Sequence, residues 1–351
     1  MAGPRSLAEL GPVVRHLTVG LLDQPMRVTL VHPAGAAPAH LPSPPVGMVN
    51  YAISRVPLLR NRQIRALVET LQPLGLDLLH GLDCNALPLT RRLAAGLDLD
   101  YLIALTSLEG NFRFSDPHCR YVLAASEPIR ELLLASSAVP DEAVVLLRPG
   151  VHRARKATCF TDPSHAPALV AAGEFTSYPA FAAVLEAFAG LLAARRDCVF
   201  FLVGGGRHEA ALRRRAEALG LMHDLTFVDL QSPEQLQGIL RGADVFICPV
   251  PSQRIEVRLL AAMAAGVPVV CAENPAADFV MADRTALTFQ AGDAGELAVK
   301  LKALLDDRAA ARSLAENALA LLRENHSPAR VSQQLAEIYR AVVSKQVTST
   351  D

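Results

Sequence analysis

Two neighbouring stretches, Gly242-Ala-Asp-Val-Phe-Ile-Cys-Pro249 and Leu259-Leu-Ala-Ala-Met-Ala-Ala-Gly-Val-Pro-Val-Val270, decide how this chain folds. Val245–Cys248 is an apolar run of strand length, bounded by Gly242 and Pro249 as a buried strand would be. A loop at Pro249–Gln253 precedes a helical stretch, Ile255–Ala265, which Gly266 ends. Val267–Cys271 is apolar and β-branched again. Strand, helix and strand in so short a span make a βαβ unit, with parallel strands and a right-handed crossover.

The same rhythm extends in both directions. Upstream lie strand Ala168–Ala172, helix Ala180–Ala193 and strand Val199–Val203, which runs into Gly204-Gly205-Gly206 and helix Glu209–Leu219. Strand Leu225–Val228 and helix Pro233–Arg241 follow, and helices Ala294–Leu305, Ala309–Arg323 and Ala329–Val343 finish the chain. The first half reads as helix Val13–Leu22, strand Met26–Val31, a Pro-rich loop Pro33–Pro45 and helix Asn61–Leu71. Strand Leu76–Leu79, helix Leu87–Gly96, strands Tyr101–Thr106 and Tyr121–Ala124, helix Glu127–Ser137 and strand Ala143–Leu147 complete it. Between the halves, Arg148–Pro167 breaks the pattern with Pro149, Gly150, Pro163 and Pro167 and the basic residues Arg153, Arg155 and Lys156, a composition that suits a linker.

This order specifies an α/β protein of two doubly wound parallel-sheet domains. The expected boundaries are 1–150, a linker at 151–167, and a second domain at 168–326. Ligands of such folds sit at the carboxyl ends of the strands. Those ends are the loops Gly173–Tyr178, Gly204–Arg207, Pro249–Arg254 and Ala272–Asp278.

The totals remove several function classes. The 351 residues are 51% apolar and 20% charged, enough for two cores, with a net charge of −1 and no electrostatic footprint for nucleic acid or an anionic membrane. Six cysteines show no repeated short spacing, so reduced thiols are expected rather than a disulfide or zinc framework. Arg5, Glu9, Arg15 and His16 interrupt the amino terminus, which does not read as an export signal, and no run approaches the length of a spanning helix. A soluble, cytoplasmic protein is the expectation.

Candidate ligand-binding groups lie in the strand-end loops. Gly204, Gly205 and Gly206 suit a phosphate cradle, and equally a plain strand-to-helix turn. Arg207 follows them, and Gln253, Arg254, Glu256 and Arg258 stand where the loop enters the helix, with Glu273 in the next loop. A cation at a helix start holds an anion together with backbone N–H groups. It is equally at home in solvent, and Glu256 favours the helix dipole with no ligand. Asp116, His118 and Cys119 have no matching ligand pair elsewhere and read as a loop rather than a metal site. P-loop, nucleophile-elbow and His-Glu-x-x-His patterns are absent, and Ser126 and His80 lack local triad partners.

Several landmarks in order resemble the retaining GT-B glycosyltransferases of family four, also called glycosyl transferases group 1. They are Val203-Gly-Gly-Gly206, Gly242 to Pro249, Leu259 to Val270, Arg284-Thr-Ala-Leu-Thr-Phe-Gln-Ala-Gly-Asp293, and the closing helices from Ser327 to Tyr339. Ala125-Ser-Glu127 and Arg148-Pro-Gly-Val-His152 resemble its first-domain helix start and its hinge. The resemblance implies two Rossmann-like domains facing a cleft, the acceptor side in the first and the nucleotide-sugar side in the second. It also implies that residues 327–351 cross back to the first domain. The implied activity is transfer of a sugar from a nucleoside diphosphate to a glycan acceptor, without a metal or other cofactor.

Against that pattern the chain departs at the positions that run the chemistry. The family's Arg and Lys after the first strand of the second domain correspond to Glu174 and Pro179. A carboxylate ~5 Å from a phosphate at an effective dielectric near 20 repels it by roughly 3 kcal/mol per unit charge. The family's two glutamates correspond to Gln253 and Ala261, and its first-domain histidine to Ser107. Its opening strand has no counterpart in Met1–Leu10, because Gly11-Pro-Val-Val-Arg-His-Leu17 already resembles the first helix. Either the first sheet lacks a strand or translation begins upstream. Two readings follow: a divergent glycosyltransferase using Arg207, Arg254 or Arg258 as substitute cations, or a catalytically inactive relative. The latter would act as scaffold, regulator or sugar-binding partner, for instance of a partner glycosyltransferase.

Overall fold

The computed structural model describes residues 1, 4–36, 46–54, 56–109, 116–136, 139–162, 165–194, 197–230 and 233–348. The Pro-rich loop after residue 36 and Pro163 of the presumed linker lie outside them. The chain divides into two compact units, Met1–Gly150 with His326–Asp351, and Val151–Asn325.

Unit 1 begins with α1 (Pro4–Leu22), β1 (Thr29–Pro33), β2 (Gly47–Tyr51) and α2 (Pro57–Leu71). It continues through β3 (Leu79–Gly81), α3 (Leu87–Leu97), β4 (Tyr101–Leu105), β5 (Cys119–Ala124), α4 (Glu127–Ala135) and β6 (Val144–Leu146). Its strands form two separate parallel sheets, β1-β2 and β3-β4-β5-β6. Helix α1 starts well before the expected Val13, because Pro12 lies inside it. A proline forfeits one hydrogen bond there without ending the helix. Strand β2 escaped the sequence reading: its pattern is mostly exposed, so it carries no apolar signature. The strand expected at Leu76–Leu79 begins at Leu79, the first residue with a ladder partner, Tyr101.

Unit 2 contains β7 (Ala168–Ala172), α5 (Tyr178–Ala194), β8 (Val199–Val203), α6 (Glu209–Ala218), β9 (Leu225–Val228) and α7 (Pro233–Arg241). After these come β10 (Val245–Cys248), α8 (Val257–Ala265), β11 (Val269–Ala272), β12 (Leu287–Phe289), α9 (Ala294–Asp306) and α10 (Arg308–Asn325). The strands make one parallel sheet in the order β12-β11-β10-β7-β8-β9. β7 is buried throughout, and Phe188 stacks on Phe200 with ring centroids 4.0 Å apart in the core beneath it. The short β12 was not expected, since three residues are too few to show a period.

The stretch read as a linker folds onto unit 2. Ala154 N donates to Ala264 O (2.7 Å), Thr158 N to Gly266 O (3.1 Å) and Ala157 N to Glu316 Oε1. Asp244, 2% exposed at the start of β10, accepts from Phe160 N, Ala168 N and His165 Nε2. These bonds replace the solvent that a free tether would use. The final helix, α11 (Pro328–Thr348), belongs to unit 1 and packs against α1.

Candidate active site

In unit 2 the chain runs outward from β7 through β8 to β9, then returns to lay β10 on the other side of β7. The carboxyl ends of β7 and β10 therefore flank the topological switch point, where open α/β sheets take their ligands.

The loops after β7 and β8 are bonded to each other. Gly173 N donates to Val203 O (3.0 Å), Phe175 N to Gly205 O (2.9 Å) and His208 N to Phe175 O (3.3 Å). Phe175 is fully buried and meets Phe181 edge-on, with centroids 4.8 Å apart. This approach explains the glycines. Gly204 has φ 137°, and a Cβ there would lie 2.0 Å from Gly173 O. Gly206 has φ 146°, with a Cβ 3.1 Å from Phe175 N. Both positions require glycine to seat one loop on the other. Around Gly205 the nearest side-chain atoms are carboxylate oxygens of Asp229 and Glu209. Arg207, exposed, donates from Nη2 to Thr176 O (2.8 Å) and from Nε to His208 Nε2 (3.1 Å), binding the same two loops together.

On the β10 side, Ser252 N donates to Glu273 O (3.1 Å), joining the loops after β10 and β11. Ser252 Oγ accepts from Arg254 N (3.1 Å), while Gln253 and Glu273 are exposed. Helix α8 starts at a cap of its own making. Glu256 Oε1 accepts from Arg258 N (3.2 Å), satisfying one of the helix's free N–H groups. The same carboxylate takes the Arg258 guanidinium at both oxygens, at 2.9 and 3.1 Å. Glu256 thus stands where an anionic ligand of this helix would sit.

The charge of Arg258 is firmly held. Burial opposes it, but the Glu256 carboxylate outweighs burial and raises its pKa, and Cys248 and Glu174 add to the same effect. Glu174, the residue in place of a family cation, therefore lies within electrostatic reach of Arg258 and answers its charge. Pro179 occupies the first turn of α5, where its missing N–H costs no helical bond. Ala261 lies within α8 and carries no polar group. In unit 1, Ser107 is buried and accepts from Glu109 N at 3.0 Å.

One polar residue at this end of the sheet escaped the sequence reading. Asn274, two residues beyond β11, is 8% exposed, and neither Oδ1 nor Nδ2 has a hydrogen-bond partner among the described residues. An unmet buried amide costs roughly 1–3 kcal/mol. Its position in a strand-end loop was the sole signal, because nothing in Ala272–Asp278 marks Asn274 as buried.

Asp116 accepts from Tyr101 Oη (3.0 Å) and His118 N (3.1 Å) and pairs with Arg91 at 3.3 Å, so it orders a turn. Among the described residues no group of three or more His, Cys, Asp or Glu side chains is arranged to hold a metal ion, and no helix is long and apolar enough to cross a membrane.

Residues 166–307 match the family model of glycosyl transferases group 1. This stretch is similar to that family. The match spans the whole sheet of unit 2 and the loops just described. A GDP-mannose-dependent monoacylated alpha-(1-6)-phosphatidylinositol monomannoside mannosyltransferase of Corynebacterium glutamicum is 28% identical over 160 residues, 44% of this chain and 41% of that protein. A D-inositol 3-phosphate glycosyltransferase of Corynebacterium efficiens is 27% identical over 209 residues, 57% of this chain and 49% of that protein. The chain spans less than half the length of these curated relatives in the matched regions.

Solved structures extend the likeness to both units. A glycosyltransferase from Rickettsia africae has a TM-score of 0.72 at 14% identity, covering 95% of this chain and 96% of its own. HepE from Anabaena, in complex with UDP and glucose, has a TM-score of 0.71 at 17% identity, covering 92% and 95%. The fold is therefore that of the GT-B glycosyltransferases, two Rossmann-like α/β domains, as the sequence landmarks implied.

Proposed function

We propose that this protein binds a nucleoside-diphosphate sugar at the carboxyl ends of β7, β8, β10 and β11 and serves glycan or glycoconjugate assembly as a glycosyltransferase. The observation that most supports binding there is the buried Asn274 amide. The NH2 donor group and the carbonyl acceptor, desolvated and unmet, suit a sugar hydroxyl or a phosphate oxygen. The group 1 match over the same loops supports this ligand class, and HepE, similar in fold, was crystallised with UDP and glucose.

The reaction needs no redox group, because the nucleoside diphosphate is itself the leaving group and carries the charge that develops. This chain's own residues meet that charge differently from the family pattern. Arg207 and Arg254 stand in strand-end loops of unit 2, whereas Arg258 is engaged by Glu256. Anion binding by Arg258 requires Glu256 to turn aside.

That pairing favours a second reading, a relative that binds sugar nucleotides without transferring the sugar. Glu174 and Glu256 place two carboxylates near the one guanidinium, a poor cradle for pyrophosphate.

Titration calorimetry with UDP-, GDP- and ADP-sugars, paired with an assay for released nucleoside diphosphate, tests both. Saturable binding that weakens about tenfold in Asn274→Ala is expected, a loss of about 1.4 kcal/mol. Binding with no release in the presence of acceptor mixtures favours the second reading. Absence of binding to every donor refutes the proposal.

A further inference from the structure

The net charge of −1 conceals an uneven distribution. Helix α2 carries Arg60, Arg62 and Arg65 close to its start, and its one acidic residue, Glu69, stands a turn further on. All three arginines are exposed, and among the described residues no carboxylate pairs with their guanidinium groups. The partial positive charge of the helix N-terminus repels them, and no acidic residue in the first turn offsets it. Cations in that place weaken the helix, so their benefit lies elsewhere.

The same turns expose apolar side chains. Leu58 is 83% exposed, more than any other large apolar side chain among the described residues, and Val56 and Leu59 are each 52% exposed. Helical spacing sets Leu58, Leu59, Arg62 and Arg65 on one outward face, turned away from the buried Ile64, Leu67 and Leu71. Val68 meets α3 so closely that a Cβ at Gly96 would lie 2.8 Å from its Cγ2. On that side the exposed Arg92 donates from Nη2 to Asn61 Oδ1, which brings a fourth guanidinium beside the tip.

The tip is held in shape by its own bonds. Gln63 Oε1 accepts from Ser54 N at 2.7 Å, and Ser54 Oγ accepts from Val56 N at 3.1 Å. Pro57 opens the helix with its φ already set. Val56, Leu58 and Leu59 are thus presented on a built turn and not on a frayed end.

An apolar tip ringed by unpaired cations suits one kind of surface. A protein partner that buried the three apolar residues would also have to match four guanidinium groups with carboxylates in fixed places. A bilayer with anionic headgroups supplies apolar depth and mobile negative charge together. The acidic residues elsewhere in the chain do not cancel this attraction, because charges beyond a Debye length of about 8–10 Å are largely screened.

We propose that the amino-terminal turns of α2 dock peripherally on an anionic lipid surface. Val56, Leu58 and Leu59 enter the boundary between headgroups and acyl chains, and Arg60, Arg62, Arg65 and Arg92 meet the anionic headgroups. The proposal concerns unit 1 alone and stands whether or not the nucleotide-sugar reading does.

Co-sedimentation of the full chain with vesicles tests it, using phosphatidylcholine alone and phosphatidylcholine with about one-third phosphatidylglycerol. The expected result is partition to the anionic vesicles only, weakened by added salt. Arg60→Gln, Arg62→Gln and Arg65→Gln should each weaken it about fivefold. The double substitution Leu58→Ser with Leu59→Ser should weaken it about tenfold or more. All these side chains are exposed, so urea unfolding should match wild type. The chain contains no tryptophan, so Leu58→Trp gives a single reporter at the tip. Its emission should shift to the blue on anionic vesicles and be quenched by bromine-labelled acyl chains. Failure to partition to anionic vesicles overturns the proposal, as does equal partition to phosphatidylcholine or an emission that binding leaves unchanged. Self-association that ignores vesicles and is abolished by the double serine substitution also overturns it, since the tip is then an interface between copies of this chain.

Discussion

Asp244 gives the clearest quantitative prediction. Its carboxylate is 2% exposed and holds three donors: Phe160 N, Ala168 N at 2.9 Å and His165 Nε2 at 2.7 Å. Replacing it by alanine leaves two buried backbone N–H groups without an acceptor, at about 1–3 kcal/mol each. The His165 imidazole is 37% exposed, so its pairing adds only about 0–1 kcal/mol after solvent screening. Asp244→Ala should therefore destabilise unit 2 by about 4 kcal/mol, a fall in Tm of roughly 8–16 °C for a unit of this size. Asp244→Asn, which keeps one acceptor, should lose about half as much. Urea unfolding followed by circular dichroism measures both. A loss below about 1 kcal/mol for Asp244→Ala would refute the idea that this carboxylate fastens residues 160–168 to β10.

The same site predicts a pH effect. Both ring nitrogens of His165 face oxygen, Nδ1 toward Asp162 O and Nε2 toward Asp244, so only the protonated ring donates to both. Its pKa is raised, chiefly by the hydrogen bond to Asp244. A raised value means that the pair's contribution is complete below the ordinary histidine range and is lost as pH rises through the folded-state value. Wild type should lose stability relative to His165→Asn as pH rises above the ordinary histidine value of about 6.5. A constant difference as pH rises contradicts the assignment.

Other positions yield sharp expectations. Gly204→Ala should cost about 3 kcal/mol or more, because the new Cβ meets Gly173 O at 2.0 Å in a backbone conformation that L residues avoid; unfolding curves that match wild type would dismiss this account. Glu256→Gln should free Arg258 and tighten UDP binding about fivefold or more by calorimetry, whereas Arg258→Met should leave a mostly buried carboxylate unpaired and lower stability by about 1–3 kcal/mol. Native-state thiol labelling should modify Cys84 first. The other five cysteines are buried, and burial pushes Cys159 up to about 11 and Cys119 and Cys271 up to about 12; prompt labelling of a second thiol would show that unit 1 or unit 2 opens readily.

The runs at Ala168–Ala172, Val199–Val203, Leu225–Val228 and Val245–Cys248 determined their own strands to the residue. β7 and β10 are buried on both faces and so apolar throughout, while β8 and the edge strand β9 keep enough apolar residues between turn signals to be read despite the exposed Val199 and Thr226. The helix–turn–strand ending at Val270 and the glycines after β8 were legible for a related reason: a left-handed turn and a close backbone approach admit few residue types. β2, exposed along most of its length, left no such trace. Nor did the extension of α1 through Pro12, since one lost hydrogen bond is a weak local signal beside the packing of the helix on α11.

Side-chain partnership lay beyond the sequence. The substitutions Glu174 and Pro179 could be read as losses, yet only the folded chain brings Glu174 within electrostatic reach of Arg258 and sets Glu256 against both the guanidinium and the helix N-terminus. The unmet amide of Asn274 is likewise a tertiary fact. Composition and period report what each segment must bury; which polar groups end up facing one another depends on strand order and loop geometry, which bring together residues that are far apart in the chain.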